Sequence, residues 1–135
     1  MTLRLLGLLT SALLSATPSL ADCPLDLGHG TGLVIFSEGY MLAFRPDPPR
    51  IEAGDSFALI MNVCTRKGDA AELVAVEATT PQRAAAVRPT SIVSAGQGRF
   101  RVEGLLLPAK GNWEVAFDVR SGGEIERLTH DIVLK

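Results

Sequence analysis

The sequence has no short segment in which lysine and arginine cluster, and its 13 basic residues are outnumbered by 15 acidic ones, which gives a net charge of −2. A mildly acidic chain without a basic patch argues against binding to nucleic acid or to anionic membrane surfaces. The sequence also lacks a long amphipathic helical pattern and any internal repeat. What recurs instead is short stretches of alternating apolar and polar residues, separated by glycine and proline.

Residues for catalysis are equally scarce. There are two histidines, His29 and His130, and neither lies in a recognisable catalytic frame. No serine has partners in the order and spacing of a known nucleophilic triad. The glycines around His29 lack the strand, the helix and the Lys-Ser/Thr pair of a phosphate-binding loop. We therefore expect a protein that is not an enzyme.

The first 21 residues have the pattern of a signal peptide. Arg4 precedes an apolar run at 5–14, and the segment ends in small residues at Ala21, after which we expect cleavage. A single membrane anchor is the alternative, although the run is short and interrupted. Asp22 before Cys23 argues against a lipid-modified cysteine. The predicted product is periplasmic, has 114 of the 135 residues and carries a net charge of −3, because cleavage removes one basic residue and no acidic one.

The predicted mature chain divides into an arm and a single domain. Residues 22–39 form the arm, of which 22–32 are rich in glycine and without periodicity, whereas residues 40–135 are enough for one domain with one core. Cys23 and Cys64 are the only cysteines, and two cysteines in an exported domain usually pair. A disulfide between them would contribute about 4 kcal/mol in the chain-entropy model. A copper thiolate site or a redox pair is the alternative.

The clearest strand pattern lies at 99–119. Phe100 and Val102 alternate with charged residues, and after a turn at 108–112 the alternation resumes from Trp113 to Val119. Two such stretches around a turn that contains glycine and proline predict a β-hairpin with one buried face, in the middle of an antiparallel sandwich. We expect Trp113, the only tryptophan, to close one end of the core.

Shorter segments predict the remaining strands. These are a short edge strand at 33–36, the first main strand at 40–45, and a central strand at 57–64 that is apolar on both faces through most of its length. A strand at 73–78 has Val74, Val76 and Ala78 on one face, and Ile92 and Val93 supply a short crossing strand. A last strand at 125–134 has His130 on its apolar face. Pro46 is expected to end the first main strand, because proline donates no ladder hydrogen bond. The predicted fold class is all-β, an immunoglobulin-like antiparallel β-sandwich of about seven strands.

Four segments of the predicted domain resemble those of a known family. They read Tyr40-x-x-Ala-Phe-x-Pro46, Ile51-x-x-Gly-x-x-Phe57-x-Leu59, Arg99-Phe-x-Val-Glu-Gly-Leu-Leu106 and Gly111-Asn-Trp-Glu-Val115. In these segments the chain resembles the YtkA-like or FixH-like family of small exported immunoglobulin-type domains. The resemblance implies the sandwich fold, export, and association with a respiratory or redox complex.

The sequence departs from that family at its copper motifs. Many members carry His-Met-Pro-Gly before the tryptophan and Met-Pro-x-His-x-His-Gly-Met in an upstream loop, donors that suit copper. Here the residues before Gly111 are Pro108-Ala-Lys110, and the upstream loop has neither histidine nor methionine. The departures argue for a protein without a cofactor. Copper binding through His29, Met41, His130 or the cysteines is the alternative.

The two loops at 81–89 and 108–112, where the family's site would lie, form our candidate interaction surface. Its residues are Arg83, Arg88, Pro108, Lys110 and Asn112. Arg83 and Arg88 also suggest a basic patch with Arg99 and Arg101, although solvated strand charges are the simpler interpretation. We expect the domain to bind or support another periplasmic or membrane protein, without insertion into the membrane.

Overall fold

The computed structural model describes Leu27 and residues 32–135, so that the predicted signal peptide, Cys23 and His29 lie outside the described residues. The described part forms eight strands and no helix, which confirms the all-β class. The strands are β1 (Leu33–Phe36), β2 (Tyr40–Asp47), β3 (Ser56–Thr65), β4 (Glu72–Thr79), β5 (Ser91–Gly96), β6 (Arg99–Leu106), β7 (Gly111–Arg120) and β8 (Ile125–Leu134).

The strands form two antiparallel sheets that enclose one core. The larger sheet has the order β1-β2-β3-β6-β5, and the smaller one has the order β4-β7-β8. Their inner faces meet, as shown by the rings of Phe44 in β2 and Phe117 in β7, whose centroids are 5.1 Å apart. Buried side chains from both sheets form a single cluster, which includes Leu42, Leu59, Met61, Val76, Val102, Val115, Val119 and Leu128. The architecture is therefore that of a β-sandwich.

The central strand is β3, as predicted. It lies between β2 and β6, and seven of its ten residues are buried. The inner face contributes Leu59 and Met61, both fully buried, while Ala58 and Cys64 on the outer face are 5% and 4% exposed. Burial of a side chain such as Leu59 contributes about 1.5–3 kcal/mol. The mostly apolar sequence from 57 to 64, interrupted by Asn62, thus indicated correctly a strand buried on both faces.

The predicted hairpin at 99–119 is wrong. β6 pairs with β3 and β5, whereas β7 pairs with β4 and β8 in the other sheet. The chain between β6 and β7 therefore crosses from one sheet to the other. The period of two is the same in both arrangements, because two facing strands of a sandwich bury alternate residues against the same core just as a hairpin does. The buried faces themselves were predicted correctly.

Two strands differ from their predicted pattern. β2 continues through Pro46 to Asp47, because β1 pairs only with residues 41–44 and leaves this part of β2 at an edge, where proline is tolerated. In β4 the register with β7 shifts between Leu73 and Ala75. This irregularity turns Val74 outward, where it is 37% exposed, and places Leu73 beside Val76 and Ala78 on the buried face.

Two predictions about single side chains are confirmed. Trp113 is 1% exposed at the start of β7, among the largest of the fully buried side chains. His130 lies on the inner side of β8, with its ring edge-on to that of Phe44 at a centroid distance of 5.5 Å. Trp113 therefore belongs to the core, and the half-buried His130 packs against the core through Phe44.

Candidate interaction surface

Both predicted loops leave the sandwich at the same end. β4 ends at Thr79, which lies opposite Glu114 near the start of β7. The loop 80–90 follows β4 and crosses to β5, while the turn 107–110 leads from β6 to β7. Since these strands are antiparallel, the two crossings meet at one end, to which we refer as the end surface (residues 80–90 and 107–112). The structure thus brings the two sequence-predicted loops together.

The turn 107–110 is held from two sides. The indole Nε1 of Trp113 donates a hydrogen bond of 2.9 Å to the carbonyl oxygen of Ala109. The amide of Gly54 donates to the carbonyl of Leu107 at 2.8 Å, and the Leu107 side chain is fully buried. Pro108 and Lys110 are exposed between these anchors, and Asn112 follows them on the outer face of β7. Their backbone is therefore fixed while their side chains face solvent.

The loop 80–90 is anchored at both of its ends as well. Ala78 and Val87 exchange two backbone hydrogen bonds of 2.8 Å, which closes the loop. Thr80 is 7% exposed, and its carbonyl accepts a 3.1 Å hydrogen bond from the amide of Arg83. Residues 81–85 are exposed at its tip. Arg83 is the charged residue of this tip.

The charges of the end surface are not equivalent. Arg88 lies 3.6 Å from Glu77, which also accepts a 3.0 Å hydrogen bond from Arg127 of β8. Arg127 forms two further hydrogen bonds, of 2.8 and 3.1 Å, with Asp118. These bonds, those to Asp118 first, raise the pKa of Arg127 above its ordinary value. Arg88 is thus part of a charge network on the outer face of the smaller sheet.

Arg83 and Lys110, by contrast, have no carboxylate within 4 Å among the residues that the structure describes. They are the cations of the end surface that are free to meet a partner. The wider basic patch does not form. Arg99 begins β6 at the far end of the sandwich, opposite Asn62, and Arg101 is paired with Asp47 and Glu103 at 3.2 Å each.

Of the residues named for the copper alternative, the described part of the chain brings Met41 and Cys64 side by side, and His130 does not join them. Met41 pairs with Cys64 on the outer face of the larger sheet, whereas His130 lies on the inner side, against Phe44. His29 is outside the described residues. Within residues 32–135 and Leu27, no three His, Cys, Asp or Glu side chains are grouped so that they could hold a metal ion.

The predicted disulfide involves one described residue. Cys64 lies near the end of β3, opposite Met41 of β2, and is 4% exposed. Cys23 is outside the described residues, so its pairing with Cys64 stays a prediction.

Sequence reasoning missed an acidic pair beside the end surface. Glu114 of β7 and Asp131 of β8 lie directly opposite each other, and both are exposed on the outer face. Two carboxylates at a cross-strand position repel each other. Their spacing of 17 positions reveals nothing by itself. Only the register of β7 with β8 makes them neighbours.

Comparisons with protein families, with curated proteins and with solved structures gave no match. In the described part of the chain, no helix has the length and apolar character to span a membrane.

Proposed function

We propose that this chain is an exported, non-enzymatic module that binds or supports another periplasmic or membrane protein through the end surface. The observation that carries the proposal is the junction of two anchored loops at one end of the sandwich. They present Arg83 and Lys110, which have no ionic partner among the described residues, on a backbone held by Trp113 and by the pair Ala78 and Val87. A rigid surface loses little conformational entropy on binding, so a modest contact area suffices.

The order of the strands supports an immunoglobulin-type sandwich. Without β1, the sheets have the orders β2-β3-β6-β5 and β4-β7-β8. Seven-stranded immunoglobulin domains have the same arrangement, with the first, second, fifth and fourth strands in one sheet and the third, sixth and seventh in the other. In such domains the loops cluster at the two ends of the sandwich, and the end surface is the end opposite to the one that binds antigen in variable domains. The predicted arm and the predicted disulfide between Cys23 and Cys64 belong to the same proposal.

The charges of the end surface indicate which kind of partner surface would fit it. Arg83 and Lys110 are cations that no carboxylate of the described residues pairs, while Pro108 and the exposed alanines around them are small and uncharged. A partner surface with carboxylates opposite the two cations would satisfy them, and such charges mainly raise the rate of association and its specificity.

Site-specific photo-cross-linking tests the proposal. A photoreactive residue at Arg83 or at Lys110, in the full chain expressed with its leader in the native host, is expected to give one discrete adduct with an exported or membrane protein. The matched control carries the same residue at Lys67, an exposed cation in the β3–β4 turn at the opposite end. Equal adducts from both ends, or none from Arg83 and Lys110 at normal protein levels, would refute a role of the end surface.

Native mass spectrometry distinguishes the proposed function from the copper alternative. The protein recovered from the periplasm of cells supplied with copper is expected to carry no metal and to have lost residues 1–21. Retained copper, or binding of copper to the isolated protein at micromolar or lower concentration, would contradict the proposal and direct mutagenesis to His29, Met41 and His130.

A further inference from the structure

The larger sheet has an unprotected edge at β5. This strand is the last in the order β1-β2-β3-β6-β5, and within the part of the chain that the structure describes it pairs with β6 alone. Five of its six residues, Ser-Ile-Val-Ser-Ala-Gly, are exposed, and none is charged or a proline. Exposed edge strands usually carry charges or prolines that prevent pairing with another chain. In β5 these protective residues are missing, and among the described residues no other strand covers its free side.

A cleft of about 440 Å³ opens beside this edge, between the two sheets. One wall is formed by residues 70–73 at the start of β4, and the other by Ser94, Gly96, Gly98 and Phe100 of β5, β6 and their turn. Both walls are irregular, because the register shifts between Leu73 and Ala75 in β4 and between Ser94 and Gly96 in β5. Such irregularities bend edge strands and re-aim side chains, and here they border the cleft.

The cleft lies where a further strand would place its inward side chains. Ser94 pairs with Phe100, and both residues line the cleft, so they face the space between the sheets. Neighbouring residues of paired strands point to the same face of a sheet. A strand added beyond β5 would therefore direct the side chain opposite Ser94 into the cleft.

We infer that the free edge of β5 receives an extended segment of a partner protein by strand addition, with one uncharged apolar side chain of that segment in the cleft. Backbone hydrogen bonds to β5 would supply affinity, and the cleft would supply specificity. The inference rests on the proposed function for the existence of a protein partner, but it uses a separate surface on the flank of the sandwich.

The lining of the cleft determines the class of side chain. Ala70, Ala71, Leu73 and Phe100 provide apolar atoms, and Glu72 is the charged residue. Its carboxylate already accepts a 2.8 Å hydrogen bond from Arg120. A carboxylate entering the cleft would meet the like charge of Glu72, whereas leucine or phenylalanine would exchange water for apolar contact.

The length of the edge favours a partner segment over a second copy of this chain. Regular pairing with β6 covers Ser91 to Ser94, four residues that extend about 13 Å. A stable dimer buries about 800 Å² on each partner, which so short a pair of strands does not provide. A flexible segment of another protein can instead combine the short pairing with one anchoring side chain.

Peptide titration followed by NMR tests the inference. The probe is a synthetic peptide of alternating threonine and valine, with leucine at the centre and a lysine at each end, added to the ¹⁵N-labelled mature chain. We expect amide shifts and slower hydrogen exchange at 91–96, together with shifts at residues that line the cleft. Replacing the central leucine by aspartate is expected to weaken binding about tenfold or more, because a charge would be buried without a partner.

Two matched variants separate the cleft from the edge. Ser94→Phe fills the cleft from the protein's own strand and is expected to abolish the preference for leucine over aspartate. Ser91→Phe makes the same change on the same strand but on the outer face, opposite Glu103, and should leave that preference intact. Circular dichroism and urea unfolding establish that both variants fold.

The possible outcomes are distinct. No shifts at 91–96 with any peptide, equal binding of the leucine and aspartate peptides, or dimerisation of the chain through β5 in sedimentation would overturn the inference. Because the probe needs no natural partner, its failure leaves the cross-linking test of the end surface unaffected. A missing adduct at Arg83 and Lys110, conversely, does not predict failure of the peptide.

Discussion

Gly104 offers the sharpest test of how the structure is held together. It lies within β6 with a φ of +74°, a conformation that side chains rarely adopt. Thr90 packs directly on it, because both its amide and its hydroxyl donate to the carbonyl of Glu103, at 2.8 and 3.0 Å. A Cβ atom at position 104 would overlap Thr90 Oγ1 and would lie 2.6 Å from its Cγ2 and 2.8 Å from its Cβ.

Gly104→Ala is therefore expected to lower the free energy of unfolding through two separate effects. The positive φ costs about 1–2 kcal/mol. The overlap with Thr90 costs about 1–3 kcal/mol, since the threonine is fixed by its bonds and its own Cβ is among the close atoms. The sum, about 2–5 kcal/mol, is a large part of the 5–15 kcal/mol that stabilises a typical domain. Urea unfolding followed by circular dichroism measures it.

A double-mutant cycle separates the two contributions. Thr90→Gly removes all three close atoms, so in that background Gly104→Ala should cost only the backbone contribution, about 1–2 kcal/mol. Gly54→Ala is the matched control, because Gly54 has a φ of +87° and no atom within 4 Å of an added Cβ. If Gly104→Ala costs no more than Gly54→Ala, or if Thr90→Gly brings no relief, the packing of Thr90 on β6 is not as described.

Three further predictions concern single sites. Trp113→Phe should lower the free energy of unfolding by about 1–3 kcal/mol, because a buried hydrogen bond and part of the ring are lost. Urea unfolding followed by circular dichroism measures this change. Unchanged stability would contradict the anchoring of the turn 107–110. Glu114→Gln should raise the free energy of unfolding by about 0.2–1 kcal/mol, because it removes the repulsion from Asp131, and the gain should be smaller at high salt. A gain that does not depend on salt would argue against a charge effect. The exported protein should be about two mass units lighter than its reduced form if Cys23 and Cys64 pair, and reduction should cost about 4 kcal/mol of stability; free thiols in freshly isolated protein would exclude the pair.

The predicted elements succeeded where a local pattern has one structural meaning. The mostly apolar segment at 57–64 indicated a strand buried on both faces, and β3 is that central strand. Parity in the last strand placed His130 on the inner face, next to Phe44. The edge position of residues 33–36 followed from their short length. The two loops of the candidate interaction surface leave the sandwich at the same end, while their role in binding stays a prediction.

Other predictions failed because the pattern allowed two arrangements. Strands on either side of the turn 107–110 have the alternation of a hairpin, yet β6 and β7 belong to different sheets. In β4, one shift in the register with β7 changed which side chains point into the core, and the spacing of apolar residues in the sequence does not reveal such a shift. Proline at 46 looked like a strand end, but a strand at an edge accepts it. In each case the deciding contact is made by a residue distant in the sequence.

The sequence by itself determined the class of this protein. Its period of two, its turn residues and its lack of helical pattern leave an all-β domain with one core, since only alternating strands bury those side chains together. Pairing between strands was decided by tertiary structure alone, because any amphipathic strand can bury its face against several partners. For that reason the junction of the two loops, the repulsion between Glu114 and Asp131, and the cleft beside β5 appear only when the register of the strands is known.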